Sequence, residues 1–152
     1  MGKIEYTYKQ LTVSDLEFFK QLLRVFGEAF EDVPTYQDHL PSDEYLVNLL
    51  GKPHFIALIA LQGQEVVGGL AAYVLEKFEQ DRKEIYIYDL AIASAHRRKG
   101  LATGLINKLK EIAQEIKAYV IFVQADPPDM PAVKLYESLG TREEVYHFDI
   151  PV

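Results

Sequence analysis

A nearly continuous apolar strand runs into a basic, glycine-containing turn and then an amphipathic helix, and this arrangement constrains the chain more than any other feature. Residues Ile85 to Ile92 place Ile85, Tyr86, Ile87, Tyr88, Leu90, Ala91 and Ile92 around one carboxylate, Asp89. His96-Arg97-Arg98-Lys99-Gly100-Leu101-Ala102-Thr103 follows directly. Leu101, Leu105, Ile106, Leu109, Ile112, Ala113 and Ile116 then share one stripe of a helix predicted over Leu101 to Lys117. The first amides of a helix have no partner within it, and the positive end of the helix dipole lies beside them. Such an end draws anions. The pattern Arg97-x-x-Gly100-x-Ala102 says little by itself. Its position between a buried strand and an amphipathic helix is what makes it a candidate anion site.

The remaining pattern alternates strand and helix signals. Ile4 to Thr12 reads as a first strand, and Ser14 as the cap of a helix that buries Leu16, Phe19, Leu22, Leu23 and Phe26. Glu28 to Pro41 is irregular and rich in carboxylates. Ser42 caps a short helix, Asp43 to Leu50, and Gly51 suits the position after it. His54 to Leu61 and Val66 to Leu75 read as buried strands of a hairpin around Gly63. Tyr119 to Gln124 is a further buried strand, Asp126 to Asp129 a loop, Pro131 to Leu139 a short helix ended by Gly140, and Thr141 to Ile150 a terminal strand. No repeat or interdomain linker interrupts residues 1–152, so the expectation is one α/β domain.

Composition narrows the function classes. The chain of 152 residues has no cysteine, which excludes thiolate metal sites and a cysteine nucleophile. His39, His54, His96 and His147 lack metal-ligand spacing, so no metal is expected. A formal net charge of −7 disfavours nucleic acid as a partner and favours a neutral or cationic one. No apolar run approaches the roughly 20 residues that span a bilayer. Met1-Gly2-Lys3-Ile4-Glu5 has no apolar leader, so a cytoplasmic location without a membrane partner is expected.

The order strand, two helices, three strands, helix, strand, helix, strand resembles the GNAT acetyltransferase fold. Three segments carry the resemblance: the Arg97-x-x-Gly100-x-Ala102 turn, the strand Tyr119 to Gln124, and Ala132-Val133-Lys134-Leu135-Tyr136-Glu137-Ser138-Leu139-Gly140. The fold it implies is a mixed central sheet of six to seven strands flanked by about four helices. Further segments are similar to the type I aminoglycoside 3-N-acetyltransferases, among them Phe55 to Leu58, Leu70 to Leu75, Glu84 to Ala91, Val123 to Asp126 and His147 to Ile150. That likeness implies acetyl transfer from acetyl-coenzyme A to the 3-amino group of a deoxystreptamine antibiotic such as gentamicin, with antibiotic resistance as the outcome.

The resemblance also implies roles for particular residues. The amides of Arg98, Lys99, Gly100, Leu101, Ala102 and Thr103 would close around the cofactor's pyrophosphate, with Arg97, Arg98 and Lys99 adding positive charge. Leu90, Ala91 and Ile92 would offer backbone groups to the pantetheine arm. Asp129 stands where many relatives have an Asn that contacts that arm. Asp89 is the candidate to bind the attacking amine and take its proton, because a carboxylate in an apolar strand is costly to bury without a partner or a task. Tyr86 and Tyr88 lie on the opposite strand parity, and in some relatives residues at those positions serve as the base; a strand bulge would change which side chain faces the cleft. Tyr136 matches the family's usual general acid. Acceptor contacts are expected from Asp126, from Glu143 and Glu144, and from the Glu28 to Asp43 segment. Other readings are a GNAT enzyme for a protein or small metabolic amine, and a non-catalytic coenzyme A-binding module. Whether a homodimer completes the pocket stays open.

Overall fold

The computed structural model describes residues 3–152, so Met1 and Gly2, part of the leader reading, lie outside the described residues. Elements follow in the order β1 (Thr7–Gln10), α1 (Leu16–Ala29), α2 (Asp43–Leu50), β2 (Phe55–Gln62), β3 (Glu65–Glu76), β4 (Lys83–Ile92), α3 (Leu101–Glu115), β5 (Ala118–Val123) and α4 (Met130–Leu139). A single π-turn, Pro34–Asp38, lies between α1 and α2, and a 3-10 turn, Ser94–His96, lies between β4 and α3. The chain divides into two compact units, the first ending at Phe122 and the second covering Val123–Val152.

Among the described residues the sheet has five strands, in the order β1-β2-β3-β4-β5. The first three neighbouring pairs are antiparallel. β4 reaches β5 through α3, the helical crossover that a parallel neighbour requires. Tyr86 on β4 stacks on Phe122 of β5 with ring centroids 4.8 Å apart, and Tyr119 donates a hydrogen bond to Glu84.

Strand alternation separates two faces. Phe55, Ala57, Ile59 and Leu61 of β2 join Phe19, Leu22, Val25 and Phe26 of α1 and Leu46 and Leu50 of α2 in one buried cluster. Leu22 and Phe26 are almost fully buried, and each such side chain contributes roughly 1.5–3 kcal/mol. α3 packs across the other face, burying Leu101, Leu105, Ile106, Leu109, Ile112 and Ala113 of the expected stripe, while the helix ends at Glu115 and Ile116 is its partly buried C-cap. Its first turn meets β1 closely: a Cβ on Gly104 would lie 2.0 Å from the Tyr8 hydroxyl.

Three expectations need correction. The strand read as buried over Tyr119 to Gln124 is β5, and its Tyr119 and Val120 are exposed. Residues 141–152 form no strand, so the sheet has five strands rather than six to seven. Alternating apolar residues make a strand only when a ladder partner satisfies their backbone, and here Val145, Tyr146, Phe148 and Ile150 are exposed in a segment without secondary structure. The cap of α1 is Asp15 rather than Ser14. The Asp15 carboxylate faces backward, accepting from the Thr12 N–H at 2.8 Å and pairing with Lys9.

Candidate active site

The pairing of β3 with β4 shifts by one residue where it matters most. Ala71 lies opposite Asp89 and Ala72 opposite Ile87, which leaves Tyr88 without a counterpart. One extra residue in one strand is a β-bulge, and it resets the alternation of side chains beyond it. Ile85 and Ile87 are buried against the α3 side, while Tyr86 and, past the bulge, Asp89 fall on the face covered by α1 and α2. Ring contacts put Tyr88 on that same face, 5.8 Å from Tyr86 and 6.0 Å from Tyr73, which itself packs on Phe55. Strict parity would separate Tyr86 and Tyr88 from Asp89. The bulge brings all three together.

Asp89 is half-buried among these rings, and the Tyr36 hydroxyl donates to its Oδ2 at 2.9 Å. Burial pushes the Asp89 carboxyl above the usual carboxylate range, and the Tyr36 hydrogen bond partly offsets this. The Tyr36 phenol is held far above its ordinary value, first by burial, then by its bond to Asp89 and that residue's charge. Tyr73 and Tyr86 are also raised, chiefly by burial. The site therefore pairs an unusually basic carboxylate with a phenol that stays protonated.

β4 ends at Ile92, and the chain then enters the basic turn. The Ala93 N–H donates to Val67 O at 2.8 Å, and Arg97 Nε reaches back to Ile92 O at 3.2 Å. Tyr6 Oη and His96 Nδ1 meet at 2.9 Å, pinning the 3-10 turn to the segment that leads into β1. Arg98 has φ 61° and Gly100 φ 78°, so two residues of this turn adopt the left-handed conformation. Successive amides in such a turn converge on a concavity suited to an anion. A Cβ at Gly100 would meet nothing within 4 Å, so the cradle is open. The first helical bond is Gly104 N–H to Gly100 O at 2.9 Å, and the amides of Leu101, Ala102 and Thr103 precede it. Arg97, Arg98 and Lys99 are exposed, as an anion-collecting rim requires. These residues fit a diphosphate. Leu101 and Ala91 are buried, Leu90 and Ile92 are partly buried, and Leu90, Ala91 and Ile92 pair with Leu70, Gly69 and Gly68, so the polar groups this strand end can offer a ligand are those of its backbone.

Asp126, Asp129, Tyr136, Glu143 and Glu144 belong to the second unit. Within it, Asp129 caps α4, its Oδ1 accepting from the Ala132 N–H at 3.4 Å. Tyr136 is partly buried, and burial, followed by the charge of Asp129, raises its phenol. Glu144 and Glu137 both pair with Arg142, while Asp126 and Glu143 are exposed. In the first unit, Asp43 of the acidic segment pairs with Lys20 at 2.8 Å.

Sequence reasoning missed Tyr36. Tyr36 is 53 positions from Asp89 and sits in a segment read only as irregular. A faint signal existed: Gly27, inside α1, carries a helix penalty of about 1 kcal/mol. A Cβ there would meet Tyr36 Cβ at 3.1 Å. The glycine makes room for the tyrosine.

Among the described residues, no three His, Cys, Asp or Glu side chains converge on a metal-sized site, and no helix is long and apolar enough to cross a membrane.

Residues 17–141 match the Acetyltransferase (GNAT) family. An aminoglycoside acetyltransferase from an uncultured soil metagenomic sample is 56% identical with a TM-score of 0.96, the match covering 97% of this chain and 99% of that one. Another soil metagenomic aminoglycoside acetyltransferase, solved in complex with sisomicin, is 33% identical with a TM-score of 0.90, covering 97% of this chain and 96% of that one. The N-alpha-acetyltransferase of Sulfolobus acidocaldarius is 29% identical over 155 residues, covering 93% of this chain and 82% of its own length. Against N-acetyltransferase 8B of Rattus norvegicus, 26% identical over 90 residues, the chain spans only 40% of the relative's length.

Proposed function

Because this chain belongs to the acetyltransferase (GNAT) family, we propose that it transfers acetyl from acetyl-coenzyme A to an aminoglycoside, at the 3-amino group of the deoxystreptamine ring. One observation carries the reading. The bulge at Tyr88 sets a half-buried carboxylate, Asp89, on an aromatic face of the strand that leads into the open anion turn. The likeness to two aminoglycoside acetyltransferases, one with sisomicin bound, supports the acceptor class.

Coenzyme A supplies the acetyl group as an activated thioester. The amides of Arg98 to Thr103 would hold its diphosphate, Arg97 to Lys99 would add charge, and backbone groups of Leu90 to Ile92 would serve its arm; Asp129 is a further candidate contact for that arm. Asp89 Oδ1 receives the acceptor's ammonium and takes its proton, directly or through water, since only a neutral amine attacks a carbonyl. Burial makes this carboxylate a stronger base than one in water. Tyr136 Oη keeps its proton through neutral pH and is the donor to the departing thiolate. Asp126, Glu143 and Glu144 attract the acceptor's remaining ammonium groups.

A thiol-release assay with gentamicin, kanamycin, spermidine and a peptide tests this reading, with NMR of the product to locate the acetyl group. Acetylation of the antibiotics at the 3-amino nitrogen is the expected result. Turnover on the peptide alone would favour the N-alpha-acetyltransferase reading that the archaeal relative suggests. Acetylation at another amine would keep the acceptor class and overturn the position.

A further inference from the structure

We propose that Tyr36 is the positioning residue of Asp89: its phenol, delivered by the Pro34–Asp38 turn, occupies one carboxylate oxygen and turns the other toward the acceptor amine. This inference rests on the functional reading above and adds a residue to it. A carboxylate on a strand rotates about two bonds, and a base in general acid–base catalysis works only when its lone pair lies within hydrogen-bond reach of the proton it takes. The Tyr36 Oη to Asp89 Oδ2 bond of 2.9 Å fixes that rotation. A hydrogen bond to an ionised acceptor is about twice as strong as a neutral one.

Tyr36 is itself firmly seated. Its ring lies 6.0 Å from Phe26 and 5.7 Å from Phe30, and its Cβ fills the space that Gly27 leaves open. The phenol thus extends from the α1 core to the bulge and bridges the two by its hydrogen bond to Asp89. Its proton is held tightly, so Tyr36 donates to Asp89 and does not compete for the acceptor's proton. The other titratable groups facing the pair are Tyr73 on β3, Tyr86 and Tyr88 on β4, Asp32 beside Tyr36, and Tyr45 of α2 beside Tyr73. The Tyr36 hydrogen bond is what opposes the effect of burial on Asp89.

The test is Tyr36→Phe, which keeps the ring and its packing but removes the hydroxyl. The acid limb of the pH profile of kcat/KM moves upward, because burial then acts on Asp89 unopposed. The value at neutral pH falls by about tenfold, the order expected for one charge-assisted hydrogen bond, while coenzyme A affinity is unchanged. Carbon-13 NMR of labelled aspartate gives a readout independent of turnover. The signal absent from Asp89→Asn identifies Asp89, and its midpoint shifts upward in Tyr36→Phe. An unmoved midpoint and a wild-type pH profile in Tyr36→Phe, with Asp89→Asn inactive, would overturn the role of Tyr36 and leave the functional reading standing. Wild-type turnover in Asp89→Asn would overturn both.

Discussion

Gly100 and Gly63 form a matched pair that separates backbone strain from ligand binding. Both have positive φ, 78° and 60°, and a Cβ at either would meet nothing within 4 Å. Alanine at each site therefore brings the same penalty, the roughly 1–2 kcal/mol of a side chain in the left-handed region. For a chain of this size that is a fall in Tm of about 2–8 °C. The two sites differ in what surrounds them. Gly63 turns the β2–β3 hairpin, and Gly100 forms the cradle ahead of α3. If the cradle receives the diphosphate, the methyl group of Gly100→Ala displaces at least one amide–phosphate bond. A hydrogen bond to a charged group contributes about 1.5–3 kcal/mol, so coenzyme A affinity drops roughly 10- to 100-fold. Gly63→Ala leaves affinity unchanged at the same loss of stability. Thermal unfolding and calorimetric titration with coenzyme A measure the two quantities separately. Equal stability losses with equal, unaltered affinities would refute the assignment of this turn to the cofactor.

Other perturbations probe the remaining residues. Asp89→Asn abolishes most turnover yet leaves the fold at least as stable at neutral pH. Burial raises the folded carboxyl, so the stability Asp89 contributes is complete below its unfolded pKa of about 3.9 and is lost as pH rises through the folded value. Unfolding curves across pH should show the variant's advantage disappearing on acidification, and a variant less stable at neutral pH would contradict the sign. Tyr136→Phe lowers kcat without changing coenzyme A affinity; a wild-type kcat in steady-state assays removes it as the proton donor. Asp126→Asn raises the acceptor KM and weakens its salt dependence, and an unchanged KM at low salt takes Asp126 out of the acceptor site.

The sequence revealed what depends on local pattern. The α3 stripe from Leu101 to Ala113 recurs at helical spacing, and the observed helix buries those residues. The β2–β3 hairpin around Gly63 was legible because apolar runs and a left-handed glycine are local signals. The terminal strand was not, because the apolar residues of 145–150 indicate an extended chain but not a ladder partner. The bulge was foreseen only as an option, since register belongs to the pair of strands and not to β4 alone. Tyr36 left only the faint trace of Gly27 for the same reason: its contact with Asp89 lies 53 positions away in the chain.

The central claim is that Asp89, turned onto the aromatic face by the bulge, receives the acceptor's amine beside a diphosphate held by residues 98–103. A crystal structure with coenzyme A and gentamicin bound together tests it most directly. The account predicts the 3-amino nitrogen within hydrogen-bond distance of Asp89 and the diphosphate on the amides that open α3. An amine bound away from Asp89, or a diphosphate seated elsewhere, would contradict it.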